Sequence, residues 1–429
     1  MKGIMIYWMA LLVFVLASCG RDEPEPEDDD TFTRLYYREI SAYQGDTVAM
    51  RGKYLGNDPS IIALTVDGVA CPLHSICDDS IRFVIPAVLK RYEQKRSVSL
   101  VLEWNYQGEP YRLDMTAEIL FREQGWFYQA RVFSREGMIG VSKDTVTWFS
   151  GRDGTFKFDH HGWKQNELIY FDDRNSLSST KAACLDKNTA WFSDRNENYI
   201  LYTQDGRNLQ KYSPVIEVAE NAGNILGIWM DGWNSGLIVY DRGLILGIDD
   251  FSDRFGAVNP IYAETCQLSG EISALGKYEF AAAGRFRNDK GDTQSYFILH
   301  KTEREWPQEY TVPESAYRIQ MLNTGTVYFN STSNNLYRIT WPFHLEKLTQ
   351  KASAFYFVDE YTGHAAYGQV IYKTTDGGAT WEEDFSFDAG LEVVNMCGIQ
   401  GNVWLLLSEG ENSIGHMSGK IILKYTPKQ

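Results

Sequence analysis

A pair of strand-like segments that recurs along residues 145–424 constrains this fold more than any other feature. Each unit has a short run of alternating aromatic or aliphatic residues, a polar turn and a second such run. The seven units are residues 145–149 with 154–158, 188–192 with 199–203, 235–239 with 244–248, 278–281 with 296–300, 325–329 with 335–339, 363–367 with 370–374, and 402–406 with 420–424. They repeat about every 43 residues.

A period of this length, with several strands in each unit, is typical of sheets arranged around a central axis. Helical solenoids need apolar residues spaced three or four apart, and these units lack that spacing. The sequence therefore predicts an all-β protein with a seven-bladed β-propeller over residues 123–429. A propeller of six or eight blades is the alternative.

The last unit bears on how such a ring closes. The chain ends at Gln429, soon after the second strand of the seventh unit, so that unit lacks an outer strand. Residues 125–133 alternate like a strand and precede the first unit. We expect them to complete the seventh unit, because pairing the two ends of the ring leaves no open sheet edge.

The N-terminus has the composition of an export signal. Lys2 precedes an apolar run over residues 4–17, which ends in Leu16-Ala17-Ser18-Cys19. This tetrad resembles the lipobox of bacterial lipoproteins, which implies removal of residues 1–18 and a lipid anchor in the membrane at Cys19. An ordinary secretory signal followed by a chance cysteine is the alternative.

Residues 19–31 are rich in Asp, Glu and Pro, so we expect an extended acidic tether. An acidic run just after the lipobox cysteine resembles the signal that sends lipoproteins of anaerobic Gram-negative glycan foragers to the cell surface. The resemblance implies a lipid-anchored protein of the outer membrane that faces the cell exterior.

Short alternating runs separated by turn signals occupy residues 32–121. Residues 61–66 and 80–86 alternate, and Asp67-Gly68 is a hairpin signal. This spacing predicts a small immunoglobulin-like β-sandwich. The segment resembles the IPT/TIG family in Gly52-Lys53-Tyr54-Leu55-Gly56 and in residues 80–86. The resemblance implies a spacer or docking module without chemistry.

The cysteines leave one question open. Cys71 and Cys77 lie six residues apart, so an exported protein can hold them as a disulfide or as two thiols. Cys184, Cys266 and Cys397 each precede the first strand of a unit, where an inner strand is expected. We expect these three to pack in the core, with the blades holding them too far apart for a metal site.

One turn motif is specific. Thr374, Asp376, Gly378, Thr380 and Trp381 resemble the Asp-box, Ser/Thr-x-Asp-x-Gly-x-Thr-Trp, of sialidase-type and sortilin-type propellers. In such a turn the Asp carboxylate accepts local N–H groups, Gly takes a positive φ and Trp packs beneath. The resemblance implies a structural role and no catalysis. Weaker echoes begin at Ser142 and Thr203.

Charge and motifs favour binding over catalysis. The chain has 41 Lys and Arg against 57 Asp and Glu, and its net charge of −16 argues against a nucleic-acid partner. Zinc-protease, nucleophile-elbow and Walker motifs are absent from the sequence, as is the Arg-Ile-Pro of sialidases. We predict no catalytic residue, no metal and no cofactor.

Ligand-binding candidates are the tryptophans near predicted turns, because exposed rings suit sugars through CH–π contacts. The candidates are Trp229, Asp231 and Trp233 in one segment, together with Trp163, Trp306 and Trp341. Propellers also pack Trp between blades, which is the competing interpretation.

The order of anchor, tether, spacer and propeller resembles the accessory lipoproteins of TonB-dependent outer-membrane transporters. It implies a non-catalytic cell-surface protein that captures an extracellular ligand, a glycan or small molecule, for an uptake system. Two alternatives stay open: a propeller glycoside hydrolase or lyase, and a protein-docking scaffold of an outer-membrane complex.

Overall fold

The structure is a computed structural model. It describes residues 40–427 apart from 52–61, 78–79, 91–92, 94, 107, 135–136, 152–153, 159–166, 170–178, 195–198, 213–222, 234, 249–257, 264–266, 288–292, 303–305 and 411–418. The predicted lipidation site Cys19 and the tether lie outside these residues. The described residues contain no helix, and thus none long and apolar enough to cross a membrane.

The chain forms two compact units. One contains the described residues up to Leu89 and those from Lys95 to Phe121, and the other contains Lys90–Gln94 and the chain from Arg122 onwards. The all-β fold class is confirmed.

The first unit is a sandwich of two sheets, with strand orders β1-β8-β7-β3-β4 and β2-β6-β5. Its strands are β1 (Ile40–Tyr43), β2 (Thr47–Arg51), β3 (Ile62–Val66), β4 (Val69–Ala70), β5 (Leu73–Cys77), β6 (Ser80–Val84), β7 (Lys95–Tyr106) and β8 (Glu109–Leu120).

Alternation builds the core of this sandwich. Leu100 and Leu102 on β7 are fully buried, as are Ile81 and Phe83 on β6. Each such side chain contributes about 1.5–3 kcal/mol by leaving water. The predicted hairpin signal forms the turn from β3 to β4, where Asp67 and Gly68 have φ of 52° and 79°, as a type I′ turn requires.

Cys71 and Cys77 are both thiols in the structure. Cys71 is buried in the core of the sandwich, and burial raises its pKa to about 11. Cys77 is exposed and its sulfur lies 2.9 Å from the Ser80 hydroxyl.

The second unit consists of seven four-stranded antiparallel sheets among the described residues. The first three sheets are β10 (Gly137–Val141), β11 (Thr147–Gly151), β12 (Gly154–Phe158), β13 (Glu167–Ile169); β14 (Ser179–Cys184), β15 (Ala190–Asp194), β16 (Ile200–Thr203), β17 (Gln210–Tyr212); and β18 (Ile225–Gly232), β19 (Ser235–Tyr240), β20 (Leu244–Ile248), β21 (Val258–Ala263).

The fourth, fifth and sixth sheets follow in the same order from inner to outer strand. They are β22 (Gln267–Gly276), β23 (Glu279–Arg287), β24 (Thr293–His300), β25 (Gln308–Val312); β26 (Ala316–Asn323), β27 (Thr326–Ser331), β28 (Asn335–Thr340), β29 (His344–Lys351); and β30 (Ala354–Phe357), β31 (Gly363–Tyr367), β32 (Val370–Thr374), β33 (Glu382–Ser386).

The seventh sheet joins the two ends of the unit. It contains β34 (Leu391–Ile399), β35 (Asn402–Glu409), β36 (Gly419–Thr426) and, as its outer strand, β9 (Gly125–Phe133). The register runs from Gly125 opposite Thr426 to Phe133 opposite Gly419. The predicted closure by residues 125–133 is therefore confirmed.

The inner strands of successive sheets lie side by side, and β10 also lies beside β34, so they surround one axis. The middle strands are covered by neighbouring sheets on both faces, which explains why they read as repeating apolar runs. Trp148, Trp191 and Trp404 occupy second strands in three sheets, and all are fully buried.

Candidate functional site

Two kinds of turn meet at one end of the sheets. Because the strands are antiparallel, the turn from first to second strand and the turn from third to fourth strand emerge on the same side. Neighbouring sheets bond to each other there: the Lys143 N–H donates to the Leu185 carbonyl over 3.1 Å, and Gln400 Nε2 donates to the Lys143 carbonyl over 3.2 Å. We call this side the turn face.

The turn over residues 374–381 joins β32 to β33 on the turn face. The Asp376 carboxylate accepts the Thr380 N–H over 2.9 Å and the hydroxyls of Thr380 and Thr374 over 2.6 and 2.8 Å. These bonds lower the pKa of Asp376 to about 2. Trp381 Nε1 donates to the Gly378 carbonyl over 2.9 Å. The Asp376 carboxylate thus serves the turn itself, whereas the Gly377 carbonyl accepts from Tyr328 and Arg338 of the fifth sheet.

The two weaker echoes of this motif differ from each other. At the β16–β17 turn, the Asp205 carboxylate accepts the N–H groups of Arg207 and Asn208, each over 2.8 Å, and the Thr203 hydroxyl over 3.1 Å. This repeats the construction at Asp376. Asp144 instead lies between β10 and β11 and accepts the Lys187 N–H of the next sheet over 2.9 Å. Asp144 therefore bonds to a neighbouring sheet, and it lies between a first and a second strand, whereas Asp376 and Asp205 lie between a third and a fourth strand.

Exposed aromatic rings lie in turns of adjacent sheets on the turn face. Trp306, between β24 and β25, is 84% exposed, and Trp341, between β28 and β29, is 46% exposed. The Lys301 ammonium lies 3.3 Å from the centre of the Trp341 ring, which brings these two turns together. Tyr361, between β30 and β31, is 65% exposed. Three successive sheets thus present aromatic surface on one side.

The other ligand-binding candidates from the sequence differ in burial. Trp229 on β18 packs against the core between the third and fourth sheets. Trp233 is partly buried, with its ring 5.5 Å from Trp191 and 5.6 Å from Tyr202. Asp231 is exposed on the turn face and pairs with Lys143 at 3.4 Å. Trp163 lies outside the described residues.

A cavity of about 280 Å³ lies on the axis among the inner strands. One half of its wall is tied together by polar side chains. Gln320 Nε2 donates to the Phe357 carbonyl over 2.6 Å, and the Phe357 N–H returns a bond to Gln320 Oε1 over 2.7 Å. Ser273 accepts the Met321 N–H over 2.8 Å. These bonds replace the ladder that inner strands of different sheets do not form.

The other half of the wall has small side chains and two thiols. Cys184 on β14 and Cys397 on β34 both line the cavity with Gly140 of β10 between their strands. A Cβ on Gly140 would lie only 2.7 Å from the Cys184 sulfur. Burial raises the pKa of both thiols, that of Cys397 to about 12.

The expectation that the blades hold these cysteines far apart is wrong for Cys184 and Cys397. Inner strands converge on the axis, so thiols from the second and seventh sheets face one cavity. Their packing in the core is as expected. Cys266 lies outside the described residues. Within the described part of the chain, no cluster of three or more His, Cys, Asp or Glu side chains is arranged to hold a metal.

Sequence reasoning missed Lys181 and Arg318, the two basic residues of the cavity wall. Arg318 Nη1 donates to Asn395 Oδ1 over 2.7 Å, and Nη2 donates to the Val394 carbonyl. The guanidinium therefore reaches from β26 to β34 past the sixth sheet. The sequence feature that could have identified them is their position, because each lies on the inner strand just before the first apolar run of its unit.

Residues 31–108 match the IPT/TIG domain family. No curated protein matches the sequence. Among solved structures, YCF48 bound to D1 peptide is similar with a TM-score of 0.53 and 12% identity, over 71% of this chain and 96% of that chain.

Two auxiliary nutrient binding proteins are also similar, each with a TM-score of 0.40. The protein from Bacteroides thetaiotaomicron is 12% identical over 90% of this chain and 96% of its own. The protein from Bacteroides ovatus is 11% identical over 94% and 100%. The family match and the fold likeness show that this chain joins an IPT/TIG domain to a β-propeller.

Proposed function

We propose that this chain is a non-catalytic, lipid-anchored protein of the outer membrane that captures an extracellular glycan for an uptake system. The lipobox-like tetrad ending at Cys19 and the acidic tether supply the anchor, and the partner we propose is a TonB-dependent transporter. The IPT/TIG domain serves as a spacer, and the propeller carries the ligand site.

The observation that supports capture best is the contrast among the tryptophans. Many are packed between sheets, whereas Trp306 and Trp341 expose their rings on adjacent sheets of the turn face. A large aromatic ring left in water costs hydrophobic free energy that a covering sugar recovers. The Lys301 ammonium places positive charge beside the Trp341 ring.

Retention on immobilised polysaccharides tests the proposal. We expect the full chain to bind at least one member of a panel of starch, xyloglucan, arabinogalactan and polygalacturonate. Trp306→Ala should weaken that binding about tenfold, the equivalent of about 1.4 kcal/mol. Phe133→Ala is the matched control, because Phe133 is also exposed but lies at the far end of β9, away from the turn face.

Two outcomes would contradict parts of this proposal. Absence of retention on every polysaccharide, together with co-purification of a membrane protein, would contradict capture and favour the docking scaffold. Equal retention by Trp306→Ala and the wild type would contradict the assignment of the binding site to Trp306 on the turn face. Protease treatment of intact cells tests the location: a surface protein is degraded before the outer membrane is broken.

A further inference from the structure

The axial cavity carries positive charge that capture on the turn face does not use. Lys181 and Arg318 both line it. Among the described residues of its wall none is Asp or Glu, although the whole chain has a net charge of −16. An anion in this cavity meets two cations and no carboxylate among the described residues of the wall, an arrangement that favours negative ligands.

Arg318 has a donor left over at this wall. Its Nη1 and Nη2 bond Asn395 and Val394, which fix the plane of the guanidinium. Its Nε is buried and has no hydrogen-bond partner among the described residues. A buried donor without an acceptor costs free energy, so a ligand oxygen that came within reach of Nε would be stabilised there.

The two charges act on the same small volume. Lys181, Arg318 and Cys397 line the same cavity, and both cations oppose the effect of burial on the pKa of the Cys397 thiol. The cavity of about 280 Å³ has the volume of roughly nine water molecules. That volume suits one sugar ring or a smaller organic acid, and it excludes the length of a polymer.

We propose that the axial cavity is a binding site for a carboxylate, held between the Lys181 ammonium and the Arg318 guanidinium. The carboxylate belongs to a free sugar acid or to the terminal unit of an acidic chain. This site is separate from the aromatic rings of the turn face, so it goes beyond the function proposed above and does not depend on it.

Calorimetric titration of the full chain with glucuronate and with glucose tests the site, because the two probes differ at C6 alone. We expect glucuronate to bind at least tenfold more tightly than glucose, and added salt to weaken its binding. A disaccharide that ends in glucuronate shows whether the natural ligand is a free sugar acid or the end of an acidic chain. Binding as tight as that of free glucuronate indicates a chain end, and weaker binding indicates the free acid.

Lys181→Met should weaken glucuronate binding at least tenfold, whereas Lys181→Arg, which keeps the charge, should retain it within about threefold. Lys347→Met is the matched control, since Lys347 lies exposed on the outer strand β29. Equal binding of glucuronate and glucose, or unchanged binding in Lys181→Met, overturns the proposal.

The two proposals fail separately. Retention on a neutral polysaccharide without glucuronate binding would remove the axial site and leave capture on the turn face intact. Glucuronate binding that depends on Lys181, without retention on any polysaccharide, would support the axial site and count against glycan capture by the aromatic rings.

Discussion

His364 gives the closure of the ring a pH dependence that can be measured. It is 0% exposed, and its ring lies 5.4 Å from that of Trp126 on β9 and 4.6 Å from that of Tyr425 on β36. Burial lowers its pKa to about 4, although the nearby Asp384 carboxylate acts in the opposite direction. In the unfolded chain the pKa returns to the usual value of about 6.5.

The sign follows from this lowered pKa. Between about pH 6.5 and pH 4 the unfolded chain binds a proton at His364 that the folded chain rejects. The contribution of His364 to the free energy of unfolding is therefore complete above about pH 6.5 and is lost as the pH drops towards 4. The whole loss is about 3 kcal/mol, and about 2 kcal/mol of it falls between pH 7 and pH 5.

Urea unfolding at pH 7 and pH 5 measures this loss. His364→Phe keeps an aromatic ring between Trp126 and Tyr425 but cannot titrate, so we expect the difference between the two pH values to shrink by about 2 kcal/mol. His344→Phe is the control for loss of an exposed histidine. If His364→Phe keeps the whole pH dependence of the wild type, the assignment of a neutral, buried His364 at the closure is refuted.

Three further predictions concern stability and reactivity. Gly377→Ala should lower the free energy of unfolding, measured by urea titration, by about 2–4 kcal/mol. Gly377 has φ of 74°, and a Cβ there would lie 2.7 Å from a backbone oxygen. Gly368→Ala is the control and should cost only about 1 kcal/mol, because Gly368 has φ of 61° but open space around it. Deletion of residues 123–134 should lower Tm by roughly 10 °C or more in a calorimetric scan, because it removes the strand that pairs β36; an unchanged Tm would reject the closure. Ellman's reagent should modify exposed Cys77 in the native protein, and buried Cys71, with its raised pKa, only after unfolding.

The ring was predictable because its middle strands are its most regular parts. Second and third strands are covered on both faces, so burial leaves a repeating apolar signal such as that around Trp148 and Trp404. The closing strand was predictable for a different reason: residues 125–133 alternate like a strand, and the seventh unit has no other outer strand among the described residues. Both inferences required only the alternation of side chains along each strand and the number of strands in each unit.

The site residues were harder to predict because inner strands mix polar and small side chains. Arg318 and Lys181 acquire their role only when strands far apart in sequence converge on the axis. The tryptophans show the same limit: Trp229, Trp233 and Trp306 all lie near turns in the sequence, yet only Trp306 among them is widely exposed. Exposure depends on the neighbouring sheet, which spacing along the chain does not reveal.

Size analysis of glycan recovered from the bound protein tests most directly whether the propeller holds its ligand without transforming it. Polysaccharide retained by the full chain is eluted after overnight incubation and its chain length is compared with that of untreated material. We expect retention with an unchanged length distribution. Shortened or unsaturated products, released by the wild type and abolished by a substitution at its binding surface, would contradict non-catalytic capture and favour a hydrolase or lyase.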